Sequence, residues 1–221
     1  TYSIVSQTNV SCNGGNNGAA TVVGAGGTTP YNYLWNNGQV TPTATNLLNG
    51  VYTVSVTDAA GCVASASVNI TQPSALTVTI APSNPLCFGA TNGSGIAAAL
   101  GGTPSYTYAW TGGGGSSATS SPLGAGSYAV NVTDANGCVK TATMNLVNPP
   151  AMSASITSTN VTCFGLANGI AAATTSNAIG AVNYSWIGGP SALSGQTVTG
   201  LGAATYTLIA SDQNNCIGNS I

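Results

Sequence analysis

Val132-Thr133-Asp134-Ala135-Asn136-Gly137-Cys138 is the middle one of three similar segments, which read VTDAAGC at 56–62, VTDANGC at 132–138 and ASDQNNC at 210–216. Each segment places an aspartate four residues before a cysteine. The chain has three acidic residues in all, and they are these three aspartates, Asp58, Asp134 and Asp212. Farther from the segments, a tryptophan recurs with nearly the same period, as Trp35, Trp110 and Trp186. A period of about 75 residues indicates an array of similar domains.

Three units follow from this period: residues 1–73, 74–149 and 150–221. Thr71-Gln72-Pro73 and Asn148-Pro149-Pro150 mark the joints. Proline ends a sheet ladder and stiffens the connection, so we expect short linkers and an extended rod. Few residues follow Cys216, and the third unit is therefore expected to have a truncated last strand in a polypeptide that continues.

Within each unit the apolar residues alternate with period two, as in Leu76-Thr77-Val78-Thr79-Ile80, and this pattern is typical of β-strands. Short strands separated by Gly, Asn and Pro turns predict an all-β fold, a tandem array of three immunoglobulin-like β-sandwich domains with one disulfide each. Residues 96–100 look helical by composition but align with a strand of the first unit. The expected strands of the first unit lie near 3–7, 19–24, 31–36, 40–45, 51–57 and 62–70.

The charge content excludes several classes of function. The chain has one Lys or Arg residue and no His. Because phosphate neutralisation needs Lys and Arg, nucleic acid is excluded as a partner, and an anionic membrane surface is disfavoured. No apolar run is long enough to insert into a membrane in this segment. With neither His nor paired carboxylates, we expect no enzyme activity and no cofactor.

The cysteines predict disulfides in an extracellular protein, because two of them stand at matched positions in every unit. A zinc site is disfavoured by the long spacing and the lack of His. Six up-and-down strands would bring the two cysteines of one unit to the same end. The favoured pairs are then Cys12–Cys62, Cys87–Cys138 and Cys163–Cys216. A seventh strand would separate them and favour the pairs Cys12–Cys138 and Cys87–Cys216.

The aromatic residues are interpreted as core. Tyr31, Tyr33 and Trp35 share one face of a strand, which suits either a sugar-stacking platform or a core strand whose Trp packs near a disulfide. The core interpretation is favoured for the three tryptophans, with Tyr31 or Tyr106 as the most exposed rings. The motif Leu-x-x-Gly/Ala-x-Tyr matches a tyrosine corner, whose hydroxyl binds the backbone of the preceding loop. Its tyrosines are Tyr52, Tyr128 and Tyr206.

The aspartates Asp58, Asp134 and Asp212 are interpreted as structural turn residues. An aspartate that opens a tight turn accepts backbone N–H groups two residues on. Calcium is the functional alternative, but it needs six to eight oxygen ligands and usually several carboxylates. One aspartate per unit favours the turn, with no metal site.

The ordered motifs resemble the SprB repeat. They are Cys87-Phe88-Gly89, then Gly101-Gly102-Thr103-Pro104 and Trp110, then the segment from Leu123 to Cys138. The third unit departs from them with Asn177-Ala178-Ile179-Gly180 and Ser211-Asp212. The resemblance implies large surface proteins of Bacteroidota that are secreted by the type IX system, including the mobile adhesin of gliding motility. It implies no catalytic residues and no cofactor.

Three functions follow as hypotheses. The favoured one is a non-catalytic adhesin or stalk at the cell surface, a filament of tandem repeats for gliding or attachment, with an extracellular surface or a polysaccharide as a candidate partner. The second is a self-assembling filament in which chains complete one another's strands; disulfides that cross repeats would favour it. The third is a carbohydrate- or ice-binding surface, which requires a flat array of Thr or Tyr.

Overall fold

The computed structural model describes residues 2–112, 115–189 and 192–221, and these residues form β-strands and loops without a helix. Within them, nothing helical is available that is long and apolar enough to cross a membrane. The strands follow one another as three similar sets, and each set corresponds to one copy of the sequence motif.

Within the described residues, repeats 1 and 2 contain six strands each. In repeat 1 they are β1 (Tyr2–Thr8), β2 (Gly18–Gly24), β3 (Asn32–Trp35), β4 (Thr43–Leu47), β5 (Gly50–Thr57) and β6 (Val63–Ile70). In repeat 2 they are β7 (Thr77–Ser83), β8 (Gly93–Leu100), β9 (Thr107–Thr111), β10 (Thr119–Leu123), β11 (Gly126–Thr133) and β12 (Val139–Leu146). The segment with helical composition, 96–100, is part of strand β8, as its alignment predicted.

Repeat 3 adds a two-residue strand and has a short last strand. Its strands are β13 (Ser153–Thr159), β14 (Gly169–Ser176), β15 (Asn183–Ile187), β16 (Leu193–Ser194), β17 (Thr197–Leu201), β18 (Thr207–Ser211) and β19 (Ile217–Ser220). Strand β19 has four residues, whereas its counterparts β6 and β12 have eight.

Each repeat is an immunoglobulin-like sandwich of two antiparallel sheets. In repeat 1 the sheets have the orders β1-β2-β4 and β3-β5-β6, and the other repeats follow the same plan. These orders match strands A-B-E and C-F-G of an immunoglobulin domain, with strand D absent. The buried cluster of repeat 1 takes side chains from both sheets, including Val22, Leu47, Trp35, Val54 and Ile70. The alternating apolar residues therefore meet between the sheets, as period two predicted.

The strand directions explain where the cysteines lie. Strand β2 is antiparallel to β1 and β4, and β5 is antiparallel to β3 and β6. The ends of β1 and β6 lie side by side, because Val10 N donates to Thr71 O at 2.9 Å. It follows that β3 and β4 run in the same direction, and the connection 36–42 between them doubles back where strand D would lie.

The expectation of six strictly alternating strands is therefore wrong at the β3–β4 step. The connection between β3 and β4 does not reverse the direction of the chain. The β1–β2 loop therefore lies at one end of the repeat and the β5–β6 turn at the other. The chain also enters each full repeat at one end and leaves it at the opposite end. This arrangement suits an extended rod, and it separates the two cysteines of a repeat without a seventh strand.

Candidate functional site: the junctions between repeats

Disulfide bonds join consecutive repeats rather than closing loops within one repeat. Cys12 of repeat 1 is bonded to Cys138 of repeat 2, with a Cα–Cα distance of 5.7 Å. Cys87 of repeat 2 is bonded to Cys216 of repeat 3, with a Cα–Cα distance of 5.4 Å. Cys62 and Cys163 are free and exposed.

The favoured in-repeat pairs Cys12–Cys62, Cys87–Cys138 and Cys163–Cys216 are therefore wrong, as is the expectation of one disulfide inside each domain. The physical reason is the direction of β3 and β4, which sends the two cysteines of a repeat to opposite ends. The alternative pairs Cys12–Cys138 and Cys87–Cys216 are the ones present.

The first half of each junction is the loop between the first two strands, which we call the first-cysteine loop: residues 9–17, 84–92 and 160–168. An asparagine at the end of the loop holds it closed. Asn17 Oδ1 accepts from Ser11 N at 3.0 Å, Asn92 Oδ1 from Leu86 N at 2.9 Å, and Asn168 Oδ1 from Thr162 N at 3.2 Å. The donor in every case is the residue just before the cysteine, so the asparagine fixes the backbone that leads into the cysteine.

These asparagines belong to Asn-Gly pairs, which the sequence alone would assign to hairpin turns. Here Gly18 begins β2 instead, and the Asn17 side chain closes a nine-residue loop. The signal that distinguishes the two uses is the spacing, because an Asn-Gly pair follows the cysteine by five residues in all three repeats.

The second half of each junction is the turn between β5 and β6 and its counterparts, which we call the aspartate–cysteine hairpin: residues 58–62, 134–138 and 212–216. Asp134 Oδ1 accepts from Asn136 N and Cys138 N, both at 2.9 Å. Asp58 and Asp212 make the same pair of bonds in their own hairpins. The aspartate thus shapes the turn and fixes the backbone of the cysteine that follows.

The other carboxylate oxygen makes a bond that the sequence did not predict. Asp58 Oδ2 accepts from Thr28 N at 3.0 Å, Asp134 Oδ2 from Thr103 N at 2.8 Å, and Asp212 Oδ2 from Ile179 N at 2.9 Å. Each donor lies in the loop that crosses from one sheet to the other. The aspartate therefore ties the hairpin to the crossing loop. The available signal was the Gly-Gly-Thr segment that stands before the tryptophan in repeats 1 and 2 and is absent from repeat 3.

These N–H donors stabilise the charged form of each aspartate. The N–H groups of Thr28 and Cys62 hold the pKa of Asp58 below its ordinary value of 3.8. The pKa of Asp134 is lowered mainly by Thr103 N–H, and that of Asp212 mainly by Ile179 N–H, while burial opposes both shifts. All three carboxylates are buried, so their charge is compensated by backbone dipoles rather than by water.

A second connection crosses each junction alongside the disulfide. The linker after β6 is held to the first-cysteine loop, since Gly14 N donates to Gln72 Oε1 at 2.7 Å and Asn13 Nδ2 to Pro73 O at 3.0 Å. On the other side, Gly102 N donates to Ser74 O at 2.9 Å. The linker is thus fixed to the repeat that it leaves and to the repeat that it enters.

Direct contacts complete the junctions. Asn136 Nδ2 donates to Ser11 O across the first junction at 3.0 Å. Cys138 Sγ lies 3.4 Å from Ser11 O, and Cys216 Sγ lies 3.4 Å from Leu86 O. The same sulfur thus meets the same backbone carbonyl in both junctions, so the two have one geometry.

The tryptophans lie away from the junctions. Trp35, Trp110 and Trp186 are 1%, 8% and 0% exposed, and each indole N–H donates to a loop carbonyl at 2.9–3.0 Å. The idea that the tryptophan packs near a disulfide is wrong in repeat 3, where Cys216 packs with Met152 and Ala210 in a separate cluster. In an antibody domain a disulfide joins the two strands that correspond to β2 and β5. In repeat 1 these strands carry the buried apolar residues Val22 and Val54.

The tyrosines from Tyr31 onward are partly buried and pack against the cores. Tyr128 Oη donates to Gly124 O at 3.0 Å and Tyr206 Oη to Gly202 O at 3.4 Å, as expected of a tyrosine corner. Tyr31 and Tyr106 donate to the carbonyls of Gly26 and Gly101. Because these hydroxyls bind the protein's own loops, the rings stabilise the sandwich rather than form a free aromatic surface.

The described part of the chain holds no group of three or more Cys, Asp or Glu side chains that is arranged to bind a metal. The carboxylate oxygens of the aspartates face backbone N–H donors, which a cation would have to displace. The junctions therefore consist of covalent and hydrogen-bonded connections between repeats.

Solved structures with several domains in a row are similar to the chain at low identity. Invasin, described as a bacterial integrin-binding protein, matches at 16% identity and a TM-score of 0.37 over 99% of this chain and 59% of its own. Sidekick-1 immunoglobulin domains 1–5 match at 13% identity and a TM-score of 0.36 over 99% and 57%. A tetra-tandem repeat from the extending region of a large adhesion protein matches at 13% identity and a TM-score of 0.27. The match covers 99% of this chain and 71% of that structure's chain.

The chain thus spans less than two thirds of the length of invasin or of the Sidekick-1 fragment. With TM-scores below 0.5, these likenesses add nothing to the fold that the strands define. No curated protein sequence matches the chain.

A family model gives the decisive match. The SprB repeat is found three times, at residues 4–40, 79–115 and 155–191, and these segments together make up half of the chain. Each one begins in the first strand of a repeat and runs past its tryptophan, so the family match and the structural repeat have the same period. The chain belongs to the SprB repeat family.

Proposed function

We propose that the chain is a non-catalytic extracellular stalk, in which disulfide-locked SprB repeats hold an adhesive or motile surface structure away from the cell. The observation that carries this proposal is the double connection at each junction. A linker alone leaves two domains more freedom to bend than a linker combined with a disulfide does. Stiffness of this kind is useful in a spacer and has no evident use in an enzyme.

The surface composition suits the same role. The chain has three acidic and one basic residue, so it carries little long-range electrostatic field and its shape should be nearly indifferent to salt. Disulfides between domains persist in oxidising surroundings, which supports a location at the cell surface. Attachment to a surface or a polysaccharide, and gliding, are the uses that the family resemblance suggests for such a stalk.

Small-angle X-ray scattering tests the proposal. We expect the Cys12→Ser/Cys87→Ser variant to show a broader pair-distance distribution and a smaller average length than the unmodified chain, with an unchanged far-UV circular dichroism spectrum. The matched control is Cys62→Ser/Cys163→Ser, which removes two cysteines and leaves both junctions intact. Identical scattering from all three proteins would show that the disulfides do not stiffen the array.

A second function, self-assembly of separate chains into a filament, would be favoured by disulfides that cross repeats. The pairs Cys12–Cys138 and Cys87–Cys216 do cross repeats, but each lies within one chain. They therefore support a stiff array rather than a link between chains.

A further inference from the structure

Each disulfide joins the first strand of one repeat to the last strand of the next repeat. Cys12 and Cys87 follow the first strands β1 and β7 by four residues, and Cys138 and Cys216 directly precede the last strands β12 and β19. The linkers make the converse connection, because they run from the last strand β6 to the first strand β7 and from β12 to β13. Every junction therefore connects the same two kinds of strand, once in each order.

Two covalent paths consequently run along the array, and each one crosses both junctions. The first path, which we call the first strap, consists of β1, the Cys12–Cys138 disulfide, β12, the linker 147–152 and β13. The second strap consists of β6, the linker 71–76, β7, the Cys87–Cys216 disulfide and β19. Each strap thus uses the disulfide at one junction and the linker at the other.

Repeat 2 has a junction on either side, and its outer strands are therefore covalently attached at both of their ends. Strand β7 is attached to repeat 1 by its linker and to repeat 3 through Cys87. Strand β12 is attached to repeat 1 through Cys138 and to repeat 3 by its linker. Strands β8 to β11, which carry the buried Trp110 and Val130, belong to neither strap.

The two straps lie side by side within a repeat. At the ends of β1 and β6, Thr71 N donates to Asn9 Oδ1 at 3.0 Å. At the ends of β7 and β12, Val147 N donates to Asn84 Oδ1 at 3.0 Å. Asn9 and Asn84 both precede their cysteines by three residues, so equivalent bonds connect the straps in repeats 1 and 2.

This arrangement changes what a pulling force does to a repeat. In a domain attached only by its linkers, the force enters at the first strand and leaves at the last strand. It then acts on the hydrogen bonds and packing that hold these strands together. In repeat 2 the force enters and leaves through β7, and likewise through β12, along backbone and disulfide bonds. No noncovalent contact has to carry the force across the sandwich, so the sandwich is not pulled apart.

We propose that the array is a tether that bears tension, and that repeat 2 transmits a pulling force along β7 and β12 without unfolding. The proposal rests on the proposed stalk function and extends it from keeping a distance to holding a load. It requires only the two junctions on either side of repeat 2, and both contain their disulfide.

Single-molecule force spectroscopy on the oxidised chain, with handles at residues 1 and 221, tests the proposal. The handles pull on the first strap at one end and on the second strap at the other, so the force has to cross between the straps. Strand β13 lies against β19 as β1 lies against β6 and β7 against β12, so the three sandwiches share this step. We expect one unfolding event, at a higher force than any event of the Cys12→Ser/Cys87→Ser variant. That variant should unfold in three separate events.

The extended length gives an independent measure. With both disulfides intact, the shortest covalent path consists of residues 1–12, 87–138 and 216–221, about 70 residues that span about 240 Å when fully extended. The variant should extend to about 760 Å, roughly three times as far, because all of its 221 residues are free to extend. The matched control Cys62→Ser/Cys163→Ser should behave as the unmodified chain does. A reducing agent added to the unmodified chain should reproduce the behaviour of the variant.

Separate events in the oxidised chain at the forces of the variant would overturn the proposal, even within the shorter length limit, because the repeats would then unfold one at a time. An extension beyond that limit would overturn it as well. The stalk function has its own readout, since X-ray scattering measures stiffness without load. A chain that is stiff in scattering but unfolds stepwise under load would remain a stalk and lose only the role of bearing tension.

Discussion

At the scale of single residues, the three aspartates decide how the chain depends on pH. Each accepts three backbone N–H bonds, one of them from the crossing loop, and these bonds lower its pKa. A carboxyl whose pKa is lower in the folded state contributes stability above its ordinary pKa of 3.8. That contribution is lost as the pH falls through the folded-state value.

We therefore predict that the melting temperature falls as the pH is lowered from about 5 to about 2. Since the chain has no other acidic side chains, a triple variant with asparagine at Asp58, Asp134 and Asp212 should melt at a lower temperature at pH 7 and show a nearly flat acid profile. Calorimetry across this pH range makes the measurement. An unchanged acid slope in the triple variant would assign the effect to other groups.

Ser120 offers a second test at this scale. Its side chain is 1% exposed, and its Oγ has no hydrogen-bond partner. The equivalent positions in the other repeats are Ala44 and Val198. A buried hydroxyl without a partner costs about 1–3 kcal/mol, so Ser120→Ala should stabilise repeat 2 by about 1 kcal/mol or more.

Chemical denaturation of Ser120→Ala makes that measurement, with Ser127→Ala as the control because Ser127 is exposed and its hydroxyl is bonded to Asn145. A lower stability in Ser120→Ala would mean that the hydroxyl has a partner in solution.

At the scale of structural elements, the crossing loop and the aspartate–cysteine hairpin form one unit. Gly102 has a φ of +62°, and a Cβ at this position would lie 2.5 Å from Asp134 Oδ2. Gly27 is placed in the same way against Asp58. In repeats 1 and 2 the second glycine of the Gly-Gly-Thr segment is thus required both by its left-handed backbone and by the carboxylate beside it.

Substitutions at two glycines of repeat 2 test the left-handed backbone and the nearby carboxylate separately. Gly137 has a φ of +82° and open space around its Cβ position. Gly137→Ala should cost only the backbone strain, about 1–2 kcal/mol. Gly102→Ala should cost more by about 1–3 kcal/mol, because the methyl group also displaces the Asp134 carboxylate. Equal losses in urea unfolding would show that the carboxylate moves aside freely.

The elements also show what sequence predicts and what it does not. Alternation of apolar residues located the strands to within a few residues, except that β4 begins at Thr43 rather than near residue 40. It cannot give the relative direction of β3 and β4, because a doubled-back loop and a hairpin have similar Gly- and Asn-rich sequences. The cysteine pairs depend on that direction, so the favoured pairs were wrong although the strands were nearly right.

At the scale of the whole molecule, consecutive repeats are connected twice at each junction, once by the backbone linker and once by a disulfide. Cys12 and Cys138 are 126 residues apart in sequence, and Cys87 and Cys216 are 129 apart. Each disulfide therefore encloses most of two repeats and fixes their mutual orientation rather than one domain's internal structure. Reduction should loosen the array while the individual sandwiches, each with its own buried Trp and aliphatic core, stay folded.

The central claim, that disulfides link consecutive repeats, is tested most directly by a peptide map of the oxidised chain under non-reducing conditions. The account predicts cross-linked peptides that contain Cys12 with Cys138 and Cys87 with Cys216. Peptides that join Cys12 with Cys62 and Cys87 with Cys138 would contradict it, because the repeats would then be closed beads connected only by their linkers.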